Sequence, residues 1–66
     1  MKLTVNGQPE ELPDGLRLDQ LIERLGLRPE VVATERNGQL VPRRAHAETA
    51  LAEGDVVEVV TLVGGG

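Results

Sequence analysis

The 66-residue chain contains no cysteine, no serine and no phenylalanine, tyrosine or tryptophan. Without cysteine it forms no disulfide and uses no thiol as a nucleophile. His46 is the only histidine, which excludes a structural zinc site of the Cys/His type. Without aromatic rings there is no stacking platform for single-stranded nucleic acid, and the core has to be built from Leu, Val, Ile and Ala. Positive charge is scarce as well: 7 basic residues stand against 11 acidic ones, for a net charge of -4. Phosphate contacts need a basic face, so nucleic acid is not expected as a partner. Long apolar runs are missing too. Val56-Val57 and Val59-Val60 are far too short to cross a bilayer, and Met1-Lys2-Leu3-Thr4 lacks the apolar stretch of a signal peptide. The expectation is a soluble, cytoplasmic protein with no membrane partner.

The chemistry-bearing residues that remain are sparse. Thr4, Thr34, Thr49 and Thr61 are scattered, nothing supports a Thr-His-Asp arrangement, and His46 reads as a surface or packing residue. Glu10-Glu11 reads as solvated charge. No glycine loop precedes a helix in the way a phosphate site requires. Catalytic residues, bound metal and bound cofactor are therefore all expected to be absent from the chain itself.

Sixty-six residues make one domain with a small core. Leu3 and Val5 alternate with polar neighbours over Lys2–Asn6, which predicts a half-buried strand. Asn6-Gly7 supplies a tight turn. A second strand from Gln8 to about Leu12 contains Pro9, which cannot donate to a ladder and so belongs at a sheet edge. Leu18, Leu21, Ile22 and Leu25 fall at i, i+3, i+4 and i+7 and predict a helix. Gly26 and Pro29 end it, whereas Arg17 makes a poor N-cap. Val31–Arg36 reads as a third strand, Asn37-Gly38 as a second hairpin turn, and Gln39–Val41 as a short return strand stopped by Pro42. Arg43–Glu53 reads as irregular, with one helical turn around Glu48–Leu51. Val56–Val63 is the most β-prone stretch and, being apolar on both faces, belongs in the middle of a sheet. The order β-β-α-β-β-β gives an α+β fold, one mixed sheet with a helix packed across one face. The other face is then left with an exposed apolar patch, and such patches mark binding surfaces.

The end of the chain, Gly64-Gly65-Gly66, follows directly on that strand. Composition leaves two readings open. The triplet is a frayed glycine tail, or it is a thread without side chains that enters a narrow site on another protein and presents the carboxyl group of Gly66.

The run Glu35-Arg36-Asn37-Gly38-Gln39-Leu40-Val41-Pro42-Arg43, followed by Gly54-Asp55 and a Val-rich strand ending Leu62-Val63-Gly64-Gly65-Gly66, closely resembles the ThiS family of sulfur carriers in thiamin biosynthesis. The likeness covers the whole chain. His46 stands where the family pattern leads one to expect an aromatic residue. The resemblance implies a ubiquitin-like β-grasp domain over residues 1–63 and a flexible glycine tail over 64–66. It implies a carrier that is a co-substrate and not an enzyme. An adenylating enzyme of the ThiF type would use ATP to activate Gly66. A cysteine desulfurase or other persulfide donor would supply sulfur to make a thiocarboxylate, and thiazole synthase would receive it. Gly64 and Gly65 would thread the partner's channel, and Leu62 and Val63 would dock at its mouth, while Asn37, Gly38 and Pro42 are carried over as structural. The Gly-Gly ending is also shared with carriers for molybdopterin and tRNA thiolation and with protein modifiers, and a β-grasp interaction module without terminal chemistry remains a further reading.

Overall fold

The computed structural model of the chain describes residues 1–62. Strand β1 (Lys2–Val5) turns through Asn6-Gly7 into β2 (Gln8–Glu11). Helix α1 (Leu18–Arg24) crosses over to a 3-10 turn (Pro29–Val31) and β3 (Val32–Arg36). Then come β4 (Gln39–Leu40), a 3-10 segment (Arg43–Glu48) and β5 (Val56–Thr61). The strands form one sheet in the order β2-β1-β5-β3-β4. β1 and β5 run parallel and the other pairs antiparallel. This is the α+β, β-grasp architecture expected from the sequence. β5 takes the central place its apolar composition called for, and Pro9 lies on the edge strand β2.

Both hairpins turn on Asn-Gly pairs with positive φ at each residue, 51° and 78° at Asn6-Gly7 and 51° and 82° at Asn37-Gly38. That is the backbone hand that matches the twist of the flanking strands. The core consists of the inward residues of the sheet, Leu3, Val5, Val32, Val57 and Val59, closed by Leu18, Leu21 and Ile22 of α1 and by Leu12, Leu16 and Leu51 from the connections. Burying an aliphatic side chain of this kind contributes about 1.5–3 kcal/mol.

Two local readings need correction, at the end of the helix and at residues 48–51. The fourth residue of the helix stripe, Leu25, is the C-cap and is 41% exposed. The helix closes there because Gly26 N–H bonds Glu23 O and Leu27 N–H bonds Ile22 O, a Schellman ending that uses the left-handed Gly26. At the other end, the weak cap at Arg17 is offset by Gln20, whose Oε1 accepts the Arg17 N–H at 2.9 Å, and by Thr49 O, which accepts the Leu18 N–H at 2.9 Å. The helical turn expected at Glu48–Leu51 is instead the 3-10 segment Arg43–Glu48. Residues 49–51 cannot be helical because Thr49 O and the Leu51 N–H pair with Leu18 and Leu16 around an Arg17–Ala50 bridge. His46 is a packing residue: it is 4% exposed, with Nε2 3.1 Å from Val41 O.

Candidate functional site

The sequence points to residues 62–66, and β5 is the element that leads to them. Its inner face, Val57 and Val59, is buried against the core. Its two edges are paired unequally. Along β3 the register holds from Val57 opposite Arg36 to Thr61 opposite Val32, and Leu62 N–H adds a bond to Val31 O at 2.6 Å. Along β1 the pairing ends at Val5 opposite Val57. The peptide groups of Val59 on that side would lack partners, and Asn6 supplies them from its side chain. Its Oδ1 accepts the Val59 N–H at 2.8 Å, and its Nδ2 donates to Val59 O at 3.1 Å. The carboxamide stands in for one more peptide of β1.

Asn37 does the same at the start of β5. Its Oδ1 accepts the Val56 N–H at 2.8 Å, while Nδ2 donates to Asp55 Oδ1 at 3.0 Å. Asp55 is 6% exposed, and its other oxygen accepts from Arg36 Nε at 2.9 Å and from the Ala52 N–H at 2.8 Å. Burial pushes the Asp55 carboxyl upward, but the bonds from Asn37 and Ala52 and the Arg36 guanidinium outweigh it, so its pKa lies below the ordinary value of 3.8. Neither asparagine announced these roles in the sequence, where both read as turn residues. The only signal was their positive-φ turn position, beside which β5 passes.

The face of the sheet away from α1 is apolar and open. Leu40 is 68% exposed, Val56 49%, Val60 53% and Leu62 52%. Alternation along the strands puts Ala33 and Glu35 of β3 and Glu58 of β5 on the same face. Ala33, Glu35, Leu40, Glu58 and Val60 line a shallow cavity of about 220 Å³. Leu62, expected at a partner's mouth, is thus exposed at the end of this patch. Val63, Gly64, Gly65 and Gly66 lie outside the described residues, as does the boundary drawn between 63 and 64. Arg43 and Arg44 are exposed and lie on the 3-10 segment, apart from β5. Among the described residues no group of three or more His, Cys, Asp or Glu could hold a metal ion, and no helix is long and apolar enough to cross a membrane.

The fold recurs in a known protein. The sequence profile of the ThiS family matches residues 3–66. The chain belongs to the ThiS family. The crystal structure of the thiamine biosynthesis protein (ThiS) from Geobacter metallireducens is 36% identical, with a TM-score of 0.85 over 100% of both chains. All 66 residues also align with a thiazole synthase of Magnetococcus marinus at 42% identity and with one of Paramagnetospirillum magneticum at 36%. The chain spans only 20% of the length of each of those two relatives. An uncharacterized protein, ycf40, of Porphyra purpurea is 35% identical over 93% of its length. For a chain of this family, the open face and the end of β5 form the candidate site.

Proposed function

We propose that the chain carries sulfur on the carboxyl group of Gly66 for formation of the thiamin thiazole ring. The observation that carries this reading is the end-to-end likeness to a ThiS protein, in a chain whose central strand runs to an exposed Leu62 with three glycines next in sequence. A free carboxylate is a poor acyl donor. A ThiF-type enzyme would join it to AMP from ATP with release of pyrophosphate, giving a carbonyl with a good leaving group. A persulfide, from a cysteine desulfurase or another donor, would attack that carbonyl and expel AMP. A thiol would then cleave the resulting acyl disulfide, leaving a thiocarboxylate on Gly66 and a disulfide on the donor side. The thiocarboxylate is the sulfur source for thiazole synthase. ATP thus belongs to the partner, and the carrier is a co-substrate.

Gly64 and Gly65 would enter the partner's channel, since a backbone without Cβ atoms fits a passage that other residues would block. Leu62 and Val63 would dock at its mouth, and the apolar face from Leu40 to Val60 would be the surface that meets the adenylating enzyme and thiazole synthase in turn. The likeness of the whole chain to part of two thiazole synthases supports that enzyme as the acceptor over tRNA or a pterin. The test is reconstitution with the chain as it stands and with one residue added after Gly66. Thiazole should form with the former only. Thiazole made by the extended chain without trimming would overturn the reading.

A further inference from the structure

In the register of β3 and β5, Glu35 lies directly opposite Glu58. Residues opposite each other in an antiparallel pair share a face, with Cβ atoms roughly 5 Å apart. Both glutamates are exposed, and like charges so placed oppose the pairing of their strands. Among the described residues no ion pair relieves them. Arg36, next along β3, points to the opposite face and is bonded to Asp55. Neither β4 nor β5 contains a lysine or arginine. Lys2 sits on β1, beyond the Thr4–Val56 pair and away from Glu58. Yet these two carboxylates and the apolar Ala33, Leu40 and Val60 line one cavity. The lining suits a side chain with an aliphatic stem and a cationic head.

From this we infer that the cavity receives an arginine of the adenylating enzyme, its guanidinium between Glu35 and Glu58 and its stem against Leu40 and Val60. The inference rests on the carrier reading and adds the chemistry of the partner's docking surface. A guanidinium presents several N–H donors in one plane and can serve two carboxylates together, which the point charge of an ammonium does less well. The charge balance disfavours anionic occupants. A second copy of a chain of net charge -4 would bring four carboxylates together, and nucleic acid or an anionic lipid surface would meet the same repulsion. The glutamate pair accordingly selects the partner at the expense of the free domain's stability.

The experiment compares Glu35→Gln, Glu58→Gln and the double variant with the wild type. Melting temperature is measured, together with the KM and kcat for each chain in adenylation by the organism's own enzyme at low and high salt. Each single variant should melt at the same temperature or higher, because a repulsion is removed. Its KM should rise about fivefold, the size of a well-placed exposed ion pair, kcat should hold, and the salt dependence of KM should flatten. A purely structural role cannot raise stability and weaken docking together. Unchanged KM in the double variant overturns the inference, as does a lower melting temperature in both single variants. So does a defect confined to sulfur transfer to thiazole synthase, which would move the arginine to that enzyme. A wild-type chain that accepts no AMP at all is a different failure: it overturns the carrier reading, and this inference with it.

Discussion

At the scale of single residues, the side chains that fix the central strand are asparagine and aspartate. Asn6 adopts a φ of 51° and bonds both the N–H and the C=O of Val59. Replacing it with glycine keeps the backbone conformation free of strain and removes only the carboxamide. Each lost bond is worth about 0.5–1.5 kcal/mol, so Asn6→Gly should lower stability by about 1–2 kcal/mol and speed hydrogen exchange at the Val59 amide. Unaltered exchange there would show that the clamp is idle. Asp55 carries a second prediction, in pH. Its carboxyl titrates below 3.8 in the folded chain, so the folded state binds its proton less readily than the unfolded state does. The stability it contributes is therefore complete above the ordinary aspartate range and is lost as pH falls through the folded value. An acid titration of the wild type should show this loss below about pH 4, and Asp55→Asn should flatten that part of the curve. The same slope in both chains would contradict the assignment. Neither role was legible from local sequence. An Asn-Gly pair declares a turn, but the strand its amide reaches is about fifty residues away for Asn6 and nineteen for Asn37.

At the scale of elements, what was readable was what depends on near neighbours. The period of Leu18, Leu21 and Ile22 gave the helix, the two Asn-Gly pairs gave the hairpins, and Pro9 gave an edge. Segments set by distant pairing were misread. Residues 49–51 carry no signal of their bridge to Leu16–Leu18, and the opposition of Glu35 and Glu58 exists only in the register of two strands that are far apart in sequence. Helix α1 spans seven residues, too short to persist alone, so its stability is that of its buried stripe. Ile22 is fully buried, and Ile22→Ala should cost about 2–5 kcal/mol. In a domain of this size that is a large share of the total. Denaturant titration should find the variant largely destabilised, with its m-value retained if the fold survives. A loss below about 1 kcal/mol would mean that the helix is not packed as described.

At the scale of the whole molecule, one face of the sheet is spent on the core and the other is left apolar, acidic and open. The composition foretold this division, because a central strand apolar on both sides must expose one of them once a single helix has covered the other. The candidate site was named on other grounds. Leu62 is exposed at the end of β5, while Val63 and the three glycines were named from their pattern and their family likeness and lie outside the described residues. The chain supplies no thiol, and on the carrier reading proposed above the sulfur would be held by the carboxyl group of Gly66. The most direct test is the intact mass of the chain after incubation with ATP, the adenylating enzyme and a persulfide donor, with fragmentation to locate any change. The account predicts that one oxygen is replaced by one sulfur, confined to Gly66. An unchanged mass, or sulfur located on any other residue, would contradict it.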